Sequence, residues 1–172
     1  MANLGKSEDA IVSYEKSISL LEKASLLAPA DSSLKDEFVE SSRLLANVES
    51  RVGNYEQAQQ ILQKAMTVNK DLLASDETNI ERKIASMSLL IASGDAQGGI
   101  EKYEQALADA DVLYQSEPQN KNLILVLKRV HGRIGNILVY RAKWEEKEGN
   151  SEAARNWFLQ ALEHRERDVG AG

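Results

Sequence analysis

The chain of 172 residues contains no cysteine and only two prolines, Pro29 and Pro118. Without cysteine there is no disulfide, no thiolate catalysis and no Cys-ligated metal, and cytoplasm and periplasm stay equally open. The scarcity of proline and of β-branched runs argues against sheet. No stretch approaches the ~18 consecutive apolar residues that a membrane span needs. The opening MANLGKSE lacks the basic and apolar parts of a signal peptide. A cytoplasmic protein is therefore expected, or a periplasmic one if a signal or anchor lies outside this chain, with no membrane insertion.

What the sequence does have is a repeated pattern. In GNYEQAQQILQKAM, a small residue follows Gly53 at five (Ala58), a bulky apolar one at nine (Leu62), then Ala65 and Met66. The same offsets recur from Gly5 (Ala10, Tyr14, Ser17, Ile18), Gly94 (Gly99, Tyr103, Ala106, Leu107) and Gly149 (Ala154, Phe158, Ala161, Leu162). A small residue, a bulky one four later and a small one three after that share one face of a helix. The small residues let a neighbouring helix approach, and the bulky one fills the gap beside them. The glycine suits a turn that needs positive φ, closing one helix and admitting the next. Recurrence of such a unit marks a solenoid of stacked helix pairs.

The pattern resembles the second-helix half of the tetratricopeptide repeat, in which Ala, an aromatic or Leu, and Ala follow a Gly-Asp or Gly-Asn turn. The resemblance runs over essentially the whole chain and implies an all-α, right-handed α-solenoid of antiparallel helix pairs. The family unit is about 34 residues, whereas the glycines here lie 48, 41 and 55 residues apart. The excesses are multiples of seven, and about seven residues lengthen a helix by nearly two turns with little rotation of its apolar face. Pro29 and Pro118 each fall 24 residues after their glycine, and Glu77 holds the equivalent place in the middle copy. Long-repeat relatives of this kind occur in multidomain bacterial regulators; LEHRER at 162–167 and RIGNIL at 133–138 are similar to phrases found in them.

The second-type helices are expected near 6–28, 54–75, 97–116 and 151–168. First-type helices are expected from Ser32, capped by Asp31, to about Val52, and over 78–92 and 120–148. That makes about seven helices in a single domain, 1–172. The helix at 120–148 should be continuous, with Gly132 and Gly135 as its weak points. The first helix has no first-type partner before it. Part of its face bearing Leu4, Ile11, Tyr14, Ile18 and Leu21 should therefore be uncovered, favouring a homodimer through this helix or a covering helix outside this chain.

The residues offer little catalytic chemistry. His131 and His164 lie in different repeats, without HExxH spacing, and read as structural or solvated. Gly98-Gly99 follows no strand and is no phosphate loop. Glu145, Glu146 and Glu148 read as a solvated, Lys-paired helix surface. No enzyme activity, cofactor or metal is expected. Trp144, Trp157 and Phe158 are expected between the last two helices, Tyr14 and Tyr103 in the core, and Tyr140 in either core or groove.

One charge feature stands apart. From Gln119 to Trp144 there are six bases (Lys121, Lys128, Arg129, Arg133, Arg141, Lys143) and no acid, in a chain of net charge −6. Arg129, Arg133, Asn136, Tyr140 and Lys143 step by three and four and form one stripe. Beside it run Leu127, Val130, Ile134, Ile137 and Trp144, the expected buried stripe. First-type helices line the concave surface in this family. The stripe then reads either as a groove for an acidic segment, using Arg forks, or as bases paired with Glu101, Glu104, Asp109 or Glu117 of the preceding helix. Nonspecific nucleic-acid binding is opposed by the acidic whole. Arg43 and Asn47 resemble the first half of a pattern with which some family members grip a C-terminal carboxylate. The next first-type helix offers Arg82, Lys83, Ser86 and Ser88, but no matching Asn.

The reading is a non-catalytic protein-interaction module, part of a larger bacterial regulatory or signalling protein, binding a peptide or partner helix. Two alternatives stand beside it: a self-assembly element with exposed terminal helices, and a ligand-sensing domain, which would need a closed apolar pocket.

Overall fold

A computed structural model describes the backbone of residues 2–170 and the side chains of residues 7–167. The described residues form seven helices and no strand. They are α1 (Ala2–Leu27), α2 (Ser32–Val52), α3 (Tyr55–Ser75), α4 (Ile80–Gln97), α5 (Glu101–Ser116), α6 (Lys121–Lys147) and α7 (Ser151–Gly170). The chain divides into two compact units between Gly98 and Gly99.

Two kinds of turn punctuate the helices, and each is repeated. Residues 28–31, 76–79 and 117–120 close alike, with Asp31, Asn79 and Asn120 donating their N–H to the carbonyls of Ala28, Asp76 and Glu117. Pro29, Glu77 and Pro118 hold the second place, where the fixed proline φ suits a turn. The last residue of each turn then caps the next helix. Asp31 accepts from the N–H of Ser33, Asn79 from that of Arg82, and Asn120 from those of Asn122 and Leu123. Such caps are each worth about 1 kcal/mol.

The glycine turns are of the second kind. Gly53 (φ 92°) and Gly149 (φ 85°) sit in the left-handed region that stops a helix. Around them the same bonds recur: the Asn54 N–H donates to the Glu49 carbonyl, and the Asn150 N–H to that of Glu145, both at 2.9 Å. The Asn54 amide also reaches the Glu49 carboxylate at 2.7 Å, as Asn150 does that of Glu145.

Two expected turns fall elsewhere. Gly5 lies within α1, and Gly94 is a buried residue inside α4. The turn after α4 is made by Gly98 (φ 68°) and Gly99 (φ 131°), so α4 runs five residues beyond the expected end and α5 starts four residues late. Adjacent glycines supply two positive-φ positions, whereas Gly94 is a buried residue within the helix and makes no turn. The multiples-of-seven spacing therefore does not describe this turn. The packing register counted from Gly94 still holds, since Tyr103 and Ala106 are buried. As expected, α6 is unbroken for 27 residues, about 40 Å at 1.5 Å per residue.

In the unit preceding Gly99, α2 packs on α1, α3 and α4, and α3 on α4. The core joins Leu21, Phe38, Val39, Ala46, Ala58, Leu62, Ala65, Leu72, Leu89, Ala92 and Ala96. Ala58 and Ala65 are wholly buried and Leu62 nearly so, as the small–bulky–small motif requires. On α1, Leu21 is covered and Ile11, Tyr14 and Ile18 are half-covered. The side chain of Leu4 lies outside the described residues. The larger exposures fall on Val12, Leu20, Leu26 and Leu27.

In the unit from Gly99, α6 packs on α5 and α7. Gly135 opposes the backbone of Ala161, His131 opposes His164, and Ala142 and Ala154 are buried. The rising and falling numbers make α6 and α7 antiparallel. Small residues hold this seam, which leaves no room for the large aromatics expected there. Trp144 is 57% exposed and Phe158 38%. Trp157 is half-buried at the margin, with the Arg141 guanidinium 5.5 Å from its ring centroid.

Candidate functional site

The face of α6 opposite its core stripe is exposed along its length. Leu123, Val126, Leu127, Val130, Ile134, Leu138 and Ala142 turn inward and are buried. Arg129, Arg133, Asn136, Tyr140 and Lys143 all lie on the exposed side, flanked by Leu125 and Trp144. Tyr140 is 79% exposed, which assigns it to the surface rather than the core. Trp144 likewise leaves the expected buried stripe for the exposed one, while Ala142, two residues before it, is fully buried. From Leu125 to Trp144 the face runs about 28 Å. Its composition is three bases, one amide, two aromatics and a leucine, and Arg129 and Arg133 both take part in further polar interactions.

Arg43 and Asn47 belong to α2. Arg43 is engaged by Glu40 through two bonds of 2.9 and 2.6 Å, a fork typical of Arg–carboxylate pairs. Asn47 is half-buried, and its carbonyl accepts from Arg51 Nε. Only Arg43 of this pair opens onto the cleft of about 330 Å³ between α2, α3 and the start of α4. The structure thus brings the five α6 residues together on one face and does not join Asn47 to the Arg43 cleft.

Sequence reasoning missed what lines that cleft most tightly. Arg82, 7% exposed, donates from Nε and Nη2 to the two carboxylate oxygens of Asp36, each at 2.9 Å. Its third nitrogen, Nη1, donates to the Leu72 carbonyl at 3.2 Å. Hydrogen bonding to Asp36 raises the Arg82 pKa above its already high ordinary value. Asn69, 2% exposed, donates to the Arg82 carbonyl at 3.1 Å and to Ser86 Oγ at 2.6 Å, leaving its Oδ1 buried without a partner. The signal was faint, since Asp36 and Arg82 are 46 positions apart.

Sequence reasoning also separated two residues that the fold joins. His131 Nδ1 and His164 Nδ1 stand 2.9 Å apart across the α6–α7 seam. Both lie at similar distances from the Gly149 turn, which was the available signal. A hollow of about 640 Å³ opens beside His131, lined by Asp111, Tyr114, Leu127, Glu163, Glu166 and Arg167. Among the described residues no group of three or more His, Asp or Glu side chains is placed to hold a metal ion. Nor is any described helix long and apolar enough to cross a membrane.

Compared with known proteins, residues 44–72 match the tetratricopeptide repeat family model. The match covers the second half of α2, the Gly53 turn and most of α3, the hairpin whose motif is most complete. No curated protein and no solved structure matches the chain. The tetratricopeptide resemblance is thus shown on this hairpin, and such repeats generally mediate protein–protein interaction.

Proposed function

We propose that this chain, with its tetratricopeptide match at residues 44–72, is a non-catalytic protein-interaction module of a larger bacterial regulatory protein. Its partner offers an acidic peptide or helix to the exposed face of α6. The observation that carries the reading is the charge of that face: from Gln119 to Trp144 every ionisable acid is absent while Arg129, Arg133 and Lys143 point outward. Arg forks and Lys supply charge-assisted bonds to carboxylates. Tyr140 and Trp144 supply the aromatic surface that tends to dominate binding energy. Arg43 and Asn47 are secondary candidates on α2, where a partner carboxylate would replace Glu40 on the Arg43 fork. The bacterial regulatory setting rests on the long repeats and on the RIGNIL and LEHRER phrases.

The test is a double reversal of charge. Binding of a Glu-rich amphipathic helical peptide, followed by fluorescence anisotropy, should be abolished by Arg129→Glu with Arg133→Glu. Melting of the chain should change little, because polar interactions of exposed side chains such as these are worth only about 0–1 kcal/mol. A fall in stability with unaltered peptide binding would mean that the stripe serves the fold instead.

Self-association is the second reading, favoured by the exposure of Val12 (63%), Leu20 (57%), Leu26 (82%) and Leu27 (88%) on α1. Apolar side chains gathered on one terminal helix favour association. If it is right, Val12→Glu with Leu20→Glu turns a sedimenting dimer into a monomer; a wild-type monomer at high micromolar concentration removes it. The ligand-sensing reading gains nothing here, since both hollows described above are walled by charged and polar side chains.

A further inference from the structure

The His131 and His164 rings meet almost head-on. Their Nδ1 atoms are 2.9 Å apart, their centroids 5.1 Å, and their planes tilted by 48°. With the nitrogens between the centroids, the two lone-pair directions aim at each other and not at a common third point. That geometry suits a shared proton and not a shared metal ion. One ring must therefore carry hydrogen on Nδ1 and the other must accept it.

The proton count follows from this arrangement. In the neutral pair the donor ring has a bare Nε2 and the acceptor ring has its hydrogen on Nε2. A first added proton goes to the bare Nε2, and the Nδ1–H···Nδ1 bond survives as a charge-assisted one. A second can only go to the accepting Nδ1. It removes the bond and leaves two cations facing each other inside the seam. His131 is 5% exposed, and Gly135 sits one turn along with the Ala161 carbonyl 3.5 Å from where a Cβ would lie, so the pair stands where α6 and α7 pack in direct contact.

We propose that His131 and His164 form a proton-operated clasp between α6 and α7, closed while the pair holds at most one added proton and released by the second. Protons reach it through the hollow beside His131. From α5 it faces Glu104, Asp111 and Tyr114, from α7 Glu163, Glu166 and Arg167, and α6 itself adds Leu127. Burial, with Arg167 second, pushes the His164 pKa below its ordinary value, against the opposing pull of Glu163 and Glu104. A histidine depressed in the folded state contributes stability above the unfolded value of about 6.5, and that contribution is lost as pH falls below it. The clasp concerns the buried side of α6 and is independent of the partner-binding reading.

The experiment follows the full chain by imidazole ¹⁵N NMR and by urea unfolding from about pH 7.5 to 4.5, with His164→Gln alongside. Near neutrality a scalar coupling across Nδ1–H···Nδ1 is expected. It should vanish over the interval in which the wild-type unfolding constant climbs. For one proton taken up on release, that climb is about tenfold per pH unit beyond the change seen in His164→Gln. Two imidazoles titrating independently in the ordinary histidine range, or parallel pH profiles for the two proteins, would overturn the clasp. Should His164→Gln fail to fold, the wild-type spectrum decides alone, since absence of the coupling at neutral pH is equally fatal.

Discussion

Asp36 and Arg82 meet through two N–H···O bonds of 2.9 Å and tie the N-terminal ends of α2 and α4 together. The two partners are not equivalent. The Arg82 side chain is 8% exposed and that of Asp36 41%. Removing the acid strands a buried cation, whereas removing the base leaves a carboxylate that water can reach. The Leu72 carbonyl would not be orphaned either, because it also accepts from the Asp76 N–H and Ser75 Oγ. Asp36→Ala should therefore cost about 2–3 kcal/mol and Arg82→Met about 1–2 kcal/mol. Urea denaturation of both single variants checks the order, and equal costs would contradict it.

Two glycines should respond to alanine with opposite signs. Gly53 has open space around a would-be Cβ but a φ of +92°, so Gly53→Ala should destabilise by about 1–2 kcal/mol through backbone strain alone. Gly135 is in the interior of α6, and a Cβ there would meet its nearest neighbour at 3.5 Å, an ordinary packing distance. Gly135→Ala should thus stabilise by about 0.5–1 kcal/mol, the difference in helix propensity. Differential scanning calorimetry of the pair separates backbone conformation from packing.

The same motif slot should carry unlike energies in two repeats. Leu62 and Phe158 each stand nine residues after their turn glycine, yet Leu62 is 1% exposed and Phe158 38%. Leu62→Ala should cost about 2–5 kcal/mol by opening a cavity. Phe158→Ala should cost about 1 kcal/mol, as expected of a side chain that water already touches. Chemical denaturation of the two variants gives the comparison.

Helices were legible because their signals are local. The cap at Asp31, the turns at Pro29 and Pro118, and the Ala58–Leu62–Ala65 face all act within a few residues. The exposed stripe of α6 was legible for the same reason, since helical periodicity alone sorts Arg129 from Val130. What was hidden depends on which helices touch. The Asp36–Arg82 and His131–His164 pairs need the register between one helix and another, which no local pattern supplies. Trp144 and Phe158 were misplaced because large aromatics suggest a core, whereas the α6–α7 seam is closed by Gly135, Ala142, Ala154 and Ala161. The Gly94 turn was misplaced because a glycine at the right offset can also sit buried inside a helix, as Gly94 does in α4.

The aromatic end of the α6 face offers the sharpest separation of binding from folding. Tyr140 and Trp144 are 79% and 57% exposed, so Tyr140→Ala and Trp144→Ala should each shift stability by no more than about 0.5 kcal/mol. If the face takes a partner helix, truncating either anchor removes contacts formed only in the complex. Affinity for the Glu-rich peptide should then fall by about 10-fold or more, on the order of 2 kcal/mol for a central anchor. Salt separates the two contributions. Raising ionic strength should weaken wild-type and Trp144→Ala binding by the same factor, because the arginines and Lys143 remain, while Arg129→Glu should flatten the dependence. Binding that ignores both Trp144→Ala and salt, in a chain that still melts normally, would place the partner on another surface.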